Sequence, residues 1–310
     1  MPFSHHSHSG QFCQHARNTL EEMIQAAIAK GMIVFSLTEH MPRDCLEDLY
    51  PEEIEAHLNP FELFRTFADY YDTALRLRSR YQHMIELPIG FEVDYIRESS
   101  ITLINHLQKL YKFDFFIGSV HHVNTIPIDF DKPMYQKAIE AAGGTEKDLF
   151  EAYFDAQYEM LKALKPAVVG HFDLIRLFCS DPDKKLADYG GDVVRKVERN
   201  VDFICSYGGI TELNSSSIRK GWKEPYPKKD VCEIIIAKGG RFTLSDDSHA
   251  VDQVGLNYHR VLDYVEDIGL KEVHYLMKLP MGQTRINVLD ACVVKTLTLE
   301  ELKRHQFWQS

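Results

Sequence analysis

Short apolar segments alternate with longer amphipathic segments along most of the chain. The apolar segments are rich in Val, Ile and Phe, which is typical of strands buried on both faces of a parallel sheet. The pattern predicts strands over residues 3–8, 32–39, 85–95, 113–120, 167–171, 211–214 and 241–245, with a weaker strand over 273–277.

The amphipathic segments carry helix boundary signals. Asn18, with Glu21 three residues later, predicts a capping box, and Gly31 predicts the end of the same helix. Asn59 followed by Pro60 predicts the start of a second helix. Further helices are expected from residue 145 to about residue 165, over 193–204 and over 230–237.

The order of these elements restricts the fold. A strand followed by a helix, repeated along the chain, implies parallel strands joined by right-handed crossovers. An open doubly wound sheet and a closed barrel both satisfy this order. Because no Gly-rich phosphate-binding motif follows the first strand, the dinucleotide-binding form of the open sheet is disfavoured. We therefore expect an α/β barrel that forms a single domain over residues 1–310.

Candidate metal ligands stand at the ends of successive predicted strands. In a parallel barrel all strand C-termini open onto one face, so side chains far apart in sequence meet there. Histidines and carboxylates without clustered cysteines suit Zn²⁺, Mn²⁺ or Fe²⁺, whereas iron–sulfur clusters need thiolates. The candidates are His6, His8, His40, Glu92, His121, His122, His171, Asp247 and His249.

The spacing within these groups favours a cluster of several ions. His6 and His8 lie on the same side of a strand, and so do Glu92 and Asp94, because side chains alternate. A carboxylate offers two oxygens and can bridge two cations. The candidates are too many for one ion and sufficient for two or three. Such a cluster lowers the pKa of bound water and neutralises charge on a phosphoryl oxygen, which predicts phosphate ester hydrolysis.

Composition excludes several classes of partner. The 310 residues include 35 Lys and Arg against 46 Asp and Glu, for a formal charge of −11. This balance argues against broad electrostatic binding of nucleic acid. No apolar run approaches the roughly 20 residues of a membrane span. The six cysteines form no Cys-x-x-Cys pair, so we expect reduced thiols in a cytoplasmic protein that binds neither nucleic acid nor membranes.

Taken together, the motifs resemble one known family. Their order along the chain is His6-x-His8, Thr38-Glu39-His40, Gly90-Phe91-Glu92-Val93-Asp94, Ser119-Val120-His121, Gly170-His171 and Ser245-Asp246-Asp247-Ser248-His249. This order resembles the PHP (polymerase and histidinol phosphatase) family, and within it the monofunctional histidinol-phosphatases of fungi and bacteria. The resemblance implies a distorted TIM-like (β/α)7 barrel with two or three divalent ions (Zn, Mn or Fe) at the strand C-termini.

The resemblance also implies three groups of metal ligands. One ion would be held by His6, His8, Glu92 and Asp247. A second would be held by Glu92, His121 and His171, with Glu92 bridging and His122 as the alternative to His121. A third would be held by His15, His40 and His249.

The same resemblance implies the substrate and the residues that bind it. The expected reaction is hydrolysis of L-histidinol phosphate to L-histidinol and phosphate, a step of histidine biosynthesis. Arg219, Arg176 and Arg43 are the candidates for phosphate binding, because the guanidinium fork donates two parallel hydrogen bonds to phosphate oxygens. Asp247 and His249 are the candidates for proton transfer. Asp94 is among the carboxylates that can receive the ammonium group of the substrate.

Two other functions remain open from the sequence. A phosphodiesterase or nuclease of the same family would share the metal ligands, although the negative charge of the chain disfavours it. A non-catalytic metal-binding module would keep the barrel and lack enzymatic activity.

Overall fold

The computed structural model describes residues 2–279 and 292–309. Every segment predicted as a strand contains one, although most are shorter than predicted. The strands are β1 (Phe3–Ser4), β2 (Val34–Phe35), β3 (Glu92–Asp94), β4 (Ile117–Ser119), β5 (His122–Val123), β6 (Ile126–Pro127), β7 (Val168–Val169), β8 (Ile210–Asn214), β9 (Arg241–Ser245), β10 (Glu272–Lys278) and β11 (Cys292–Thr298).

A five-stranded parallel sheet with the order β3-β4-β7-β8-β9 forms the centre of the fold. β1 pairs with β2, also in parallel. Parallel bridges from Leu37 to Ile89 and from His40 to Glu92 connect the β2 segment to β3. On the other side, a parallel bridge joins Ser7 to Ser248, beyond the end of β9. The prediction of an α/β fold built on parallel strands is therefore confirmed.

Helices follow most of these strands. Thr145 and Asn59 cap their helices as predicted. The first capping box is displaced by one residue from the prediction, because Thr19 is the N-cap and Glu22 its partner. The helices are α1 (Leu20–Ala29), α2 (Pro51–Glu55), α3 (Pro60–Tyr81), α4 (Glu98–Leu110), α5 (Lys132–Ala142), α6 (Glu146–Leu164), α7 (Gly191–Tyr207), α8 (Ser216–Arg219), α9 (Lys229–Ala237), α10 (Tyr258–Asp267) and α11 (Leu299–Lys303).

The central strands are apolar and buried, which fixes the positions of the residues that follow them. Val34, Phe35, Val168 and Val169 are fully buried. Burial of such side chains stabilises a fold by about 1.5–3 kcal/mol each. The strand ends are therefore held firmly, and a rigid frame of this kind positions polar side chains accurately.

The C-terminal part adds an antiparallel pair of strands, β10 and β11, of which only β10 was predicted. The backbone N–H of Leu276 in β10 donates a hydrogen bond to Nε2 of His5. This contact ties the pair to the segment after β1. Among the helices of the described ranges, none has both the length and the apolar character needed to cross a membrane.

Candidate metal centre

Glu92, the first residue of β3, lies at the centre of a group of histidines. Its Oε2 atom is 2.9 Å from Nδ1 of His40, 3.3 Å from Nε2 of His6 and 3.5 Å from Nε2 of His8. These three histidines follow β1 and β2. The structure therefore brings together the ends of three strands around a single carboxylate oxygen.

The other oxygen of Glu92 faces a second group. Oε1 lies 3.0 Å from Nε2 of His171 and 3.3 Å from Nε2 of His121, and these two nitrogens are 3.1 Å apart. Asp94, two residues along β3, lies 3.4 Å from Nδ1 of His121 and 3.1 Å from Nδ1 of His122. His121 thus joins the group around Glu92, while His122 contacts Asp94.

Asp247 completes the first group from the segment after β9. Its Oδ1 atom is 3.8 Å from Nε2 of His6 and 3.6 Å from Nε2 of His8. The residue adopts a left-handed backbone conformation with φ of 46°, which Asp tolerates better than most residues. His249 follows, and its Nδ1 lies 2.9 Å from the backbone oxygen of Asp247.

The loop after β1 places a further histidine beside His249. The backbone N–H of Arg17 donates to the carbonyl of His249 at 2.7 Å. Nε2 of His15 lies 3.2 Å from Nε2 of His249, and Nδ1 of His15 lies 3.2 Å from Oε1 of Glu52. Sγ of Cys13 is 3.3 Å from Nε2 of His15.

Burial and the neighbouring charges shift the titration of the central groups. Burial opposes ionisation of Glu92, but His6, His121 and His40 outweigh it and hold the pKa of Glu92 well below its usual range. Burial also opposes the charge of Asp247, but the attraction of His6 and other neighbouring groups keeps its pKa well below the usual range. Both carboxylates are therefore ionised at neutral pH.

Two histidines of the cluster, in contrast to these ionised carboxylates, are uncharged at neutral pH. Burial, assisted by the positive charge of His40 and His6, lowers the pKa of His8 well below its usual range. Burial likewise lowers the pKa of His249 to about 3. A neutral imidazole is the form that binds a metal ion, so these two residues are ready to ligate without losing a proton.

A cavity of about 500 Å³ opens above the cluster. Arg219, at the end of α8, lines it and donates hydrogen bonds to the backbone oxygens of Asp246 and Asp247 at 3.4 and 3.0 Å. The other lining residues include Glu52, Asp129, Phe130, Tyr50 and Lys220.

The other two predicted phosphate-binding arginines are held by carboxylates. Arg176 is 2% exposed, lies 3.2 Å from Asp173 and donates to both oxygens of Asp230 at 2.9 and 3.0 Å. Arg43 donates to Glu53 through Nε at 3.0 Å and lies 3.9 Å from Asp94. Neither arginine is among the residues that line the 500 Å³ cavity.

The chemistry of this donor set fits divalent cations. Three overlapping sets of side chains have ligand atoms that all lie within 4.8 Å of one another. Within residues 2–279 and 292–309, no hydrogen-bond partner reaches Nε2 of His6 or either ring nitrogen of His8. Buried polar atoms of this kind are normally satisfied, so a cation in contact with them accounts for their arrangement. The sets are His6, His8 and Asp247; His8, His40 and Glu92; and Glu92, His121 and His171.

Comparison with known proteins decides the family. A model of the PHP domain matches residues 4–216. The chain belongs to the PHP domain family. It is 45% identical to "Probable histidinol-phosphatase" of Schizosaccharomyces pombe, over 97% of this chain and 96% of that protein. It is 34% identical to "Histidinol-phosphatase" of Saccharomyces cerevisiae, over 98% of each.

A solved structure shares the fold of this PHP chain. It is histidinol phosphate phosphatase from Lactococcus lactis, complexed with Zn, L-histidinol and phosphate. The TM-score is 0.67 with 19% sequence identity, and the match covers 89% of this chain and 96% of the other. At this level of identity the likeness concerns the fold.

Two carboxylates next to the predicted ligands were not among the candidate site residues. Glu212 in β8 is fully buried and lies 3.1 Å from Nδ1 of His6. Glu39 accepts hydrogen bonds from the backbone N–H and the hydroxyl of Ser9 at 2.9 and 2.6 Å and lies 3.8 Å from Nδ1 of His8. A signal was present in both cases, because each Glu lies within a segment that was predicted as a buried strand, where a charged side chain is unusual.

Proposed function

We propose that this chain is a metal-dependent histidinol-phosphatase that hydrolyses L-histidinol phosphate to L-histidinol and phosphate. The proposal rests on the position of Glu92, whose two oxygens each face a separate group of histidines beneath the cavity. The relatives named histidinol-phosphatase support the substrate, because the similarity extends over nearly the whole length of each.

We assign the ions to three positions. Glu92 would hold two of them, since each of its oxygens faces its own set of nitrogens. The ligands of the first are His6, His8, Glu92 and Asp247; those of the second are Glu92, His121 and His171; those of the third include His15, His40 and His249. Zinc is the favoured metal because the Lactococcus lactis protein was complexed with it.

Arg219 is the proposed phosphate-binding residue. Among the residues that the structure describes, the hydrogen bonds of its two Nη atoms go to backbone carbonyls, so part of the guanidinium fork stays free to donate to phosphate oxygens in the cavity. Arg176 and Arg43 are left out of the proposed substrate site, because Asp230 and Glu53 engage their guanidinium groups. Their proposed role is to hold the surrounding loops in place.

The acidic wall of the cavity is proposed to receive the ammonium group of histidinol phosphate. Asp129 and Glu52 both line the cavity. Among the residues that the structure describes, no hydrogen-bond partner reaches Oδ1 of Asp129, which is buried. Asp94 contacts His121 and His122 instead, so it is not part of the proposed ammonium site.

The proposed mechanism combines bound ions with groups of this chain. Divalent ions in this position supply Lewis-acid stabilisation of a phosphoryl oxygen and lower the pKa of water. Asp247, ionised and at the cavity wall, is the proposed acceptor for the proton of the attacking water. We assign His249 as a ligand without a part in proton transfer, because its Nδ1 is committed to the carbonyl of Asp247. Arg219 holds the phosphate in line with the attacking water.

The parallel strands are proposed to close into a distorted (β/α)7 barrel within one domain over residues 1–310. β1 and β2 would join the two edges of the five-stranded sheet. The bridge between His40 and Glu92 supports closure on one side. On the other side, the bridge between Ser7 and Ser248 and the hydrogen bond from His5 N–H to the carbonyl of Leu244 support it.

Phosphate release tests the function directly. The zinc-loaded protein is assayed with L-histidinol phosphate, with sugar phosphates and with single-stranded DNA. We expect kcat/KM for L-histidinol phosphate to exceed that for the other monoesters by about 100-fold or more, since a site that pairs polar groups of the substrate discriminates strongly. Equal rates on all monoesters would remove the substrate assignment. Activity on DNA alone would favour a nuclease.

A further inference from the structure

Four side chains able to bind a metal converge beside the bridging Glu92. Cys13, His15, His40 and His249 each offer one ligand atom, and all four atoms lie within 4.8 Å of one another. The family resemblance accounts for the three histidines only. The thiol is an additional donor, and its place in the cluster requires an explanation.

The hydrogen bonds of two of these histidines determine which nitrogens are free. Nδ1 of His249 faces the backbone oxygen of Asp247, which can only accept a hydrogen bond, so Nδ1 carries the hydrogen. Nδ1 of His15 faces the carboxylate of Glu52 in the same way. In the neutral form of each ring the lone pair is then on Nε2, and the two Nε2 atoms lie 3.2 Å apart. A cation bound between the two Nε2 atoms would remove the repulsion between their lone pairs. A metal-bound histidine usually donates its other ring N–H to an oxygen, and Nδ1 of both residues faces such an oxygen here.

His40 shows the same arrangement. Its Nδ1 lies 2.9 Å from the carboxylate of Glu92, so the hydrogen is on Nδ1. In the part of the chain that the structure describes, no hydrogen-bond partner reaches the buried Nε2 atom of His40. In all three imidazoles Nδ1 faces an oxygen, which leaves Nε2 as the nitrogen that can bind an ion.

The distance between Cys13 and His15 fits one edge of a tetrahedral zinc site. Around zinc, Zn–N distances of about 2.0–2.1 Å and a Zn–S distance of about 2.3 Å place neighbouring ligand atoms roughly 3.3–3.7 Å apart. Sγ of Cys13 is 3.3 Å from Nε2 of His15, close to such an edge. The thiol is 7% exposed, and its own backbone N–H donates to the carbonyl of Ser9 at 2.9 Å. The loop therefore holds the sulfur in place.

We propose that the thiolate of Cys13 is the fourth ligand of the ion held by His15, His40 and His249. The inference rests on the metal centre of the proposed function and adds a ligand to it. When the ion binds, the thiol releases its proton to solvent and the sulfur forms the coordinate bond, so no oxidant or reductant takes part.

Two properties follow from this ligand. A thiolate is soft, so this position selects Zn²⁺ over Mn²⁺, whereas the nitrogen and oxygen ligands around Glu92 accept either. A tetrahedral ion with four protein ligands has no open position for water, so the ion here stabilises the loop and the neighbouring Glu92.

Cobalt substitution tests the sulfur ligand independently of catalysis. Metal-free protein is titrated with Co²⁺, and thiolate-to-cobalt charge-transfer absorption is recorded in the near ultraviolet. We expect the band in the wild type and in Cys179→Ser, a control whose thiol contacts the carbonyl of Asp181 instead. Cys13→Ser should lose the band and bind zinc at this position more than about 10-fold more weakly, since even groups outside the ligand set change affinity 10–100-fold.

Alkylation of the wild type supplies a second measurement that does not depend on how the variant folds. Zinc should protect Cys13 from a maleimide, and a chelator should expose it, as read by peptide mass spectrometry. The proposed sulfur ligand would be overturned if Cys13→Ser kept the absorption band. It would also be overturned if Cys13 of the wild type were alkylated to the same extent with and without zinc. A wild type that binds zinc and hydrolyses L-histidinol phosphate without the band would overturn it too and leave the proposed function standing. A wild type that binds no ions would overturn both.

Discussion

Glu212 accepts a hydrogen bond from Nδ1 of His6 at 3.1 Å, and both side chains are fully buried. The other oxygen of the same carboxylate accepts the backbone N–H of His171 at 2.5 Å and the amide of Asn214 at 2.7 Å. One carboxylate in β8 therefore orients a proposed ligand after β1 and the backbone of another after β7. Burial raises the pKa of Glu212, but the pairing with His6 more than compensates, so the net shift is downward.

Glu212→Gln should weaken zinc binding by about 10–100-fold and lower turnover, because an amide no longer supplies a charged acceptor to His6. The measurement is zinc affinity by competition with a chelator, followed by kcat at saturating zinc. Glu233→Gln on the exposed surface of α9 is the matched control and should change neither value. Unchanged zinc affinity in Glu212→Gln would contradict the role given to this carboxylate.

Replacement of Arg219 should affect activity, whereas replacement of Arg176 should affect stability. Arg219→Gln should lower kcat/KM for L-histidinol phosphate by about 100-fold, because one pre-organised donor to the phosphate is lost. Its unfolding free energy should fall by only about 1 kcal/mol.

Arg176→Gln should show the reverse. It leaves Asp173 and Asp230 without their guanidinium partner, so we expect a loss of about 3–5 kcal/mol of stability. Urea unfolding and steady-state kinetics of both variants check the two statements. A stable Arg176→Gln protein with a large rise in KM would place Arg176 at the substrate after all.

Asp129→Asn tests the proposed ammonium site. The change removes a negative charge from the cavity wall and keeps the size of the side chain. KM for L-histidinol phosphate should rise about tenfold, which corresponds to roughly 1.4 kcal/mol. KM for an alkyl phosphate without an amino group should stay the same. An equal change for both substrates would show that Asp129 acts on the phosphate or the metals.

The stability of the metal-free protein should fall in mild acid because of His5. This histidine contacts Oγ of Ser36 through Nδ1 at 2.7 Å and accepts the N–H of Leu276 through Nε2 at 2.9 Å. Burial lowers the pKa of His5 to about 3, whereas its unfolded value is about 6.5. The unfolded chain therefore binds a proton first, and His5 costs about 1.4 kcal/mol of stability per pH unit as the pH falls below 6.5.

Urea unfolding in a chelator at pH 7.5 and 5.5 measures this effect. His5→Gln lacks the titrating ring, so its loss of stability between the two pH values should be smaller than that of the wild type by about 1.4 kcal/mol. An identical loss in both proteins would show that His5 does not titrate as described.

The sequence predicted the strands and most helix boundaries because both depend on local pattern. Apolar runs identified every strand of the central sheet, and caps such as Asn59 and Thr145 stand where expected. Asn18 was predicted to be the first cap, yet it adopts a left-handed φ of 70° and its side chain accepts the N–H of Val251 instead. That contact, between residues 233 positions apart, is not visible in local sequence.

The site was predictable in part for the same reason. Histidines after apolar strands are a local signal, and the structure brings His6, His171 and Asp247 to one cluster. The partners that orient them are not local. Nothing in the sequence indicates that Asp230 reaches Arg176, and Glu212 was missed because its contact with His6 spans 206 positions.

An anomalous-scattering map from crystals of the zinc-loaded protein tests whether Glu92 binds two ions. Two zinc peaks, one on each side of Glu92 and each about 2.0–2.2 Å from one of its oxygens, are the predicted result. The first peak should also contact His6, His8 and Asp247, and the second His121 and His171. Zinc peaks elsewhere in the molecule, with none in contact with Glu92, would contradict the proposed metal centre.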